Sequence, residues 1–427
     1  MKPSSRRHFL KGISGGLAGA FVLTARAESP KSLLRLLSEQ DVPPGSEEFW
    51  KLVRSQFPLT HDRIYLNNGT IGPSPYAVLD AVRHSTEDLD IRGEYDGWET
   101  ARPKLAKFLN VDVSEISLTH NATEGINIVA GGLPLKRGDE VIMTTHEHAG
   151  NALPWLNRLH LDGITIRTMK PAATAAENLN RINDLITGRT RAIAVPHITC
   201  TVGQVMPAGE ITKLGHDKGL WVFFDGAHGP GMMPLDLKGL GCDFYAACGH
   251  KWMCGPRGTG FLYVRKEMLD VLTPRAIGAY SDAGWDLTTD PPEFKGYVPT
   301  AHRFDYGTQS APISIGFAAA ADFLSQIGME RIADRNTSLA RQLQEGLLAL
   351  GGKIEMLTPT EEKSRAAIIG FRLVNIPYDK FGEHASRRGF RIRLVPESHL
   401  NSVRVSTHLY NSPEEVAKFL DAVKEVA

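Results

Sequence analysis

A series of short, mostly apolar runs separated by helix-spaced segments constrains this chain more than any other feature. Residues 140–144, 164–169, 191–198, 221–225 and 244–247 are of strand length, and most carry apolar side chains at adjacent instead of alternate positions. Strands of that kind are covered on both faces, the condition of a parallel sheet. Residues 173–186 and 210–218 lie between them with helical spacing. The alternation defines an α/β protein with a mainly parallel central sheet and crossover helices on both faces. Residues 313–350 then read as two long helices leading into a smaller α/β C-terminal domain, and 427 residues suffice for both units.

The run Trp221-Val-Phe-Phe-Asp225 stops on a carboxylate, at the edge where open α/β sheets place their ligands. Gly226-Ala-His228 turns the chain, and Phe244-Tyr-Ala-Ala delivers it to Cys248-Gly249-His250-Lys251. Residues 258–264 read as a third strand, so one acid and one lysine reach the same rim. Alone, an aspartate ending a strand is more often a cap or turn residue, and a lysine after Gly-His is usually solvated. Together they are what pyridoxal phosphate chemistry requires: an amine for the cofactor's aldehyde, and a carboxylate that keeps the pyridine nitrogen protonated.

Asp225-Gly-Ala-His228 followed by Gly249-His250-Lys251 resembles the class V aminotransferase superfamily, of pyridoxal-phosphate fold type I, which holds cysteine desulfurases and isopenicillin N epimerase-like proteins. The resemblance implies pyridoxal 5'-phosphate as cofactor, no metal, and Lys251 and His148 as catalytic residues. Thr119-His-Asn121-Ala122-Thr123 runs from a strand into a helix, whose first turn offers unpaired N–H groups to a phosphate; it matches the family's phosphate-gripping turn. Glu147-His148-Ala-Gly-Asn151 is similar to the segment that lays a histidine on the cofactor ring, with His146 as the competing choice. Thr199 falls in a turn beside the ring, where Cys200 stands in place of the desulfurase asparagine. His228 matches the partner of the cofactor's phenolic oxygen, and His250 a phosphate contact. Thr308 matches a threonine that reaches the phosphate of a neighbouring subunit, which implies a homodimer. Val403-Arg404-Val405-Ser406 resembles the closing motif whose arginine forks onto the substrate α-carboxylate, and Asn67 or Asn68 either falls near the substrate or only shapes its turn.

Ser5-Arg6-Arg7-His8-Phe9-Leu10-Lys11, a mild apolar stretch to Leu23 and Ala25-Arg-Ala27 read as a twin-arginine leader with its cleavage site. The expectation is export through the Tat machinery to the periplasm, with residues 1–27 as signal peptide and no stable membrane anchor. Residues 28–62 form an N-terminal arm, 63–310 a large cofactor-binding domain and 311–427 the small domain. The 48 basic and 48 acidic residues balance, so nothing in the charge favours a nucleic-acid partner. Four cysteines without metal spacing argue against a zinc site, while a Cys248–Cys254 bridge stays open.

A desulfurase carries its reactive cysteine on a C-terminal loop, and between Arg388 and Arg404 there is none. Leader and motifs together resemble exported enzymes that tailor a glutamyl group of the siderophore pyoverdine. That implies decarboxylation with oxidation, from glutamate to succinamide, on a peptide-siderophore or small-molecule amino-acid substrate. The alternatives are an aminotransferase giving an α-ketoglutaryl arm or acting on free amino acids, an isopenicillin N epimerase-like racemase, and a periplasmic binding protein without chemistry.

Overall fold

A computed structural model describes residues 42–427 together with Leu33, Arg35 and Leu36; the leader read in residues 1–27 lies outside the described residues. The apolar runs become a seven-stranded sheet of β2 (Ile116–Thr119), β3 (Glu140–Thr144), β4 (Thr165–Met169), β5 (Thr190–Pro196), β6 (Trp221–Asp225), β7 (Phe244–Cys248) and β8 (Gly260–Val264). Their order is β2-β8-β7-β6-β5-β3-β4, with β8 alone antiparallel to its two neighbours. Adjacent residues feed opposite faces: Val222, Phe224 and Tyr245 enter one apolar cluster, and Phe223, Phe244 and Ala246 another. Each fully buried Phe contributes about 1.5–3 kcal/mol of transfer free energy. These strands could therefore not have been alternating in sequence.

The crossover helices include α4 (Ala122–Gly132), α5 (Ala149–Asp162), α6 (Ala175–Leu185) and α7 (Ala208–Asp217), after α1 (Glu47–Ser55), α2 (Tyr76–Arg92) and α3 (Ala101–Leu109). Helix α4 lies on β7 and β8 through Gly125, where a Cβ would stand 2.9 Å from that of Ala246. Helix α8 (Ala311–Ile327) packs on α2 and α3, and α9 (Met329–Leu348) on α10 (Pro413–Lys424). Helix α9 ends at Leu348 with Ala349 as its C-cap. Helix α1 meets α9 through Arg335, which pairs with Glu47 and lies over Trp50.

A second sheet, antiparallel, has the order β9 (Ile354–Met356), β10 (Ile368–Leu373), β13 (Ser402–Ser406), β12 (Arg393–Val395). The sequence reads residues 391–395 as one strand, and the structure divides them. Phe390–Arg391 (β11) pairs in parallel with β1 (Ile64–Tyr65), whereas β12 pairs with β13. The break at Ile392 sends Arg391 and Arg393 to different sheets. Residues 273–301, expected as loop, contain a short hairpin pairing Trp285–Asp286 with Glu293–Phe294.

Candidate active site

Asp225 is the last residue of β6, with β5 and β7 on either side in parallel register. Its Oδ1 accepts from the Ala227 N–H at 3.0 Å. Burial pushes this carboxyl up, while the Ala227 N–H and the charges of Lys251 and His148 draw it down. A buried acid of this kind needs a cationic partner to ionise fully.

Lys251 sits in the connection that reverses β7 into β8. The Gly249 N–H donates to the Thr259 carbonyl and the Gly255 N–H to the Gly249 carbonyl, both at 2.8 Å, closing that connection at its base. At position 249 a Cβ would stand 2.3 Å from Thr259 Oγ1 and 2.5 Å from the Phe317 ring, so only glycine fits. The Lys251 ammonium itself makes no hydrogen bond among the described residues, and it faces a cavity of about 230 Å³.

Five further elements converge on that cavity. Helix α4 presents Asn121, Ala122 and Thr123, with Asn121 as N-cap accepting from the Glu124 N–H at 3.0 Å. Helix α5 presents His148, its N-cap, whose Nδ1 accepts from the Gly150 N–H at 3.0 Å. That bond leaves Nε2 as the protonated nitrogen of the neutral ring. The turn after β1 brings Gly69 and Thr70, and its Gly72 N–H donates to the His250 carbonyl at 2.8 Å. Strands β12 and β13 bring Arg393 and Arg404, which face each other across the ladder.

Arg404 is completely buried. It donates to the Cys200 carbonyl at 2.5 Å and to Thr70 Oγ1 at 2.8 Å, and its Nε has no partner. Burial, and then the nearby Arg393 charge, lower it to about 9. A guanidinium held out of water with only neutral acceptors is under-compensated, and an incoming carboxylate supplies the missing charge.

Other expected residues stand elsewhere. His146 is buried, hydrogen-bonded to Thr201 Oγ1 through Nδ1 at 3.1 Å, and lines a separate cavity with Lys170; of the two histidines it is His148 that shares Lys251's cavity. The hydroxyl of Thr199 accepts from the Gln204 N–H at 2.9 Å and is spent closing its own turn, which leaves Cys200 on the wall. Asn67 accepts from Thr70 Oγ1 and Asn68 from the Tyr410 hydroxyl, both at 2.8 Å, while Asn68 Nδ2 is buried without a partner; Gly69 and Thr70 of the same turn line the cavity, and the two asparagines do not. Thr308 is exposed and outside this cavity. All four cysteines are free thiols, so the Cys248–Cys254 bridge is not formed. Sequence reasoning missed Arg393, which reaches the cavity because the chain changes sheets at Ile392.

The residues present fit pyridoxal phosphate. His228 accepts from Trp252 Nε1–H at 3.0 Å on Nδ1, but its Nε2 is buried without a partner, as is His250 Nδ1. Two orphaned ring nitrogens, an unbonded amine, a buried acid and a helix N-terminus on one small cavity match a ring nitrogen, an aldehyde and a phosphate. Lys251, Asp225, His228 and the first turn of α4 would hold the group. Bound there, it supplies an electron sink for bonds broken at a substrate α-carbon. With it in place, Arg404 would hold a carboxylate, Lys251 would be the amine able to move a proton, and His148 would stand on the same cavity wall as a second acid/base group.

Fold and site together define a pyridoxal-phosphate enzyme of fold type I. The class V aminotransferase profile matches residues 80–419. A probable cysteine desulfurase of Methanothermobacter thermautotrophicus is 32% identical over 400 residues, 88% of this chain and 97% of that one. Another from Synechocystis is 32% identical over 87% and 94% of the two chains. Among solved structures, a variant of C-DES with glycine covalently linked to its PLP cofactor superposes with a TM-score of 0.79, at 26% identity over 88% and 99% of the chains. The apo cysteine desulfurase of Thermococcus onnurineus superposes at 0.78, with 27% identity over 88% and 97%. The chain belongs to the class V aminotransferase family, and pyridoxal phosphate is its cofactor.

Proposed function

We propose that this enzyme is exported to the periplasm and acts on the free α-amino-acid end of a glutamyl group during pyoverdine maturation, converting glutamate to succinamide. The carboxyl leaves as CO₂, one atom of dioxygen becomes the amide oxygen on the former α-carbon, and the other leaves as water. The observation that carries the reading is the placement of Arg404 and Lys251 on one cavity, a site for an amino group with its carboxylate free. The twin-arginine pattern of residues 5–11 supports export. The absence of any cysteine between Arg388 and Arg404 speaks against desulfuration by the usual loop, although the named relatives are desulfurases.

Aminotransfer to an α-ketoglutaryl arm is the second reading. It is favoured by the double anchoring of Arg404 on Cys200 and Thr70, because a carboxylate gripped so firmly leaves the α-hydrogen as the freer bond. The exposed Thr308 supports a homodimer in which it serves the neighbouring site. Incubating the enzyme with the glutamyl precursor in air and weighing the product tests the assignment. The amide mass with dioxygen consumption is expected; a keto acid, or an unchanged mass, overturns it.

A further inference from the structure

Beyond the cavity that holds Lys251, a second one of about 400 Å³ shares Thr70 and Arg393 with it. Its wall includes Arg63, Arg391 and Arg393. The convergence follows from the break at Ile392. Arg391 stays beside Tyr65 in the parallel pair, Arg63 precedes that same strand, and Arg393 crosses to the antiparallel sheet opposite Arg404.

Only one of these three cations is neutralised: Arg393 is ion-paired with Glu397. Arg63 and Arg391 have no salt bridge among the described residues, and the sole side-chain bond of Arg391 goes to a neighbouring carbonyl, that of Ile392. The local field is felt by Tyr65, whose hydroxyl burial pushes up while Arg391, Arg257, Arg63 and Arg404 pull against it. Guanidiniums that share a concave wall repel one another, and a surface gains by separating them unless an anion is to be received.

We propose that the Arg63–Arg391–Arg393 cavity recognises an oxyanion, carboxylate or phosphate, carried by the substrate beyond its reacting amino-acid end. The enzyme would then select amino acids whose distal part is acidic. The inference rests on the reading that Lys251 and Arg404 receive the amino-acid end, and names what lies past it. Arg63 and Arg391 are exposed, and neither lines the cavity that Lys251 and Arg404 share.

The test uses the holoenzyme, so that the cofactor occupies its own phosphate subsite. Calorimetry compares glutarate, inorganic phosphate and butyrate on the wild type and on the double variant Arg63→Gln, Arg391→Gln, with thermal unfolding as the folding control. Glutarate should bind at least about tenfold more tightly than butyrate, and the double variant should erase that ratio while leaving butyrate unchanged. Phosphate binding lost in the double variant shows that the site takes that oxyanion too; glutarate loss alone limits it to carboxylates. Equal affinities for glutarate and butyrate, or a ratio untouched by the substitutions, overturn the proposal. Amino acids that leave the cofactor's visible absorbance unchanged would refute the underlying amino-acid reading, and the calorimetric ratio would still decide this one.

Discussion

Gly72 lies against the backbone of Lys251 so closely that a Cβ at position 72 would stand 2.0 Å from the lysine carbonyl oxygen. The turn that carries the substrate-facing Thr70 and the loop that carries the amine are thus one packed unit, joined also by the Gly72 N–H to His250. Gly72→Ala must displace backbone, not a flexible side-chain tip. The expected cost is about 1–3 kcal/mol of stability, typical of overpacking, together with a weakened cofactor absorbance band. Thermal unfolding and the visible spectrum of the purified variant measure both, and a variant equal to wild type in both would refute the coupling.

Asp225→Asn keeps the side-chain volume and removes the charge opposite Lys251 and His148. The fold should persist while turnover falls by about 10²–10³, the range found when one preorganised electrostatic partner is removed. Lys251→Ala should abolish turnover and the lysine-linked absorbance altogether. Single-turnover kinetics separate these effects, and an Asn variant within tenfold of wild type would sink the role given to Asp225.

Arg404 is lowered to about 9, chiefly by burial. The charged form is therefore disfavoured relative to a solvated arginine, and carboxylate affinity should weaken as pH rises toward 10. Arg404→Lys should raise half-saturation by about tenfold or more, because the fork that serves Cys200, Thr70 and a carboxylate together is gone. Titrating amino acids against the cofactor absorbance between neutral pH and pH 10 checks the prediction, and an unchanged half-saturation across that span contradicts it.

His146 and His197 are lowered to about 4 and His408 to about 3, in each case first by burial. The folded protein keeps them neutral, whereas the unfolded chain takes up their protons near pH 6.5. Stability should accordingly fall as pH drops from 6.5 to about 4, by up to about 3 kcal/mol for each histidine. Glu147 has the opposite sign. Burial raises it to about 7 although Asn151 and Thr144 hydrogen bonds oppose the shift. Its contribution is present below 4.5 and is lost as pH rises through 7, so Glu147→Gln should become progressively more stable relative to wild type across that window. Unfolding curves at half-unit pH steps measure the difference, and a constant offset would refute it.

All four thiols are buried, and burial pushes them up, Cys200 to about 11. Folded enzyme at pH 8 should react with a disulfide reagent at well under one thiol, and at four after denaturation. Rapid labelling of Cys200 in the folded protein would reopen sulfur chemistry at this site.

Much of the fold was legible because burial on both faces forces apolar side chains into adjacent positions, as in Val222, Phe223 and Phe224. Asp225 was legible because its strand ends on it, and Lys251 because it follows closely on the end of β7 at Cys248. Thr199, Asn67 and Asn68 stay open to two readings in the sequence, since a turn residue's side chain faces either the ligand or its own loop; in the structure they hydrogen-bond with Gln204, Thr70 and Tyr410 and stand outside the wall of the cavity that Lys251 faces. Arg393 was missed for a different reason: its position depends on where residues 390–395 change sheets, a long-range pairing that no local pattern records.

The antiparallel return of β8 has one more implication. Because the segment bearing Lys251 is tied at both ends by Gly249, Thr259 and Gly255 and pressed against Gly72, its main chain is anchored. Any shuttling of hydrogen between the two sides of a bound substrate is then limited to the swing of four methylenes, which makes the catalytic amine a short-tethered rotor whose reach, more than its basicity, decides where a proton is returned.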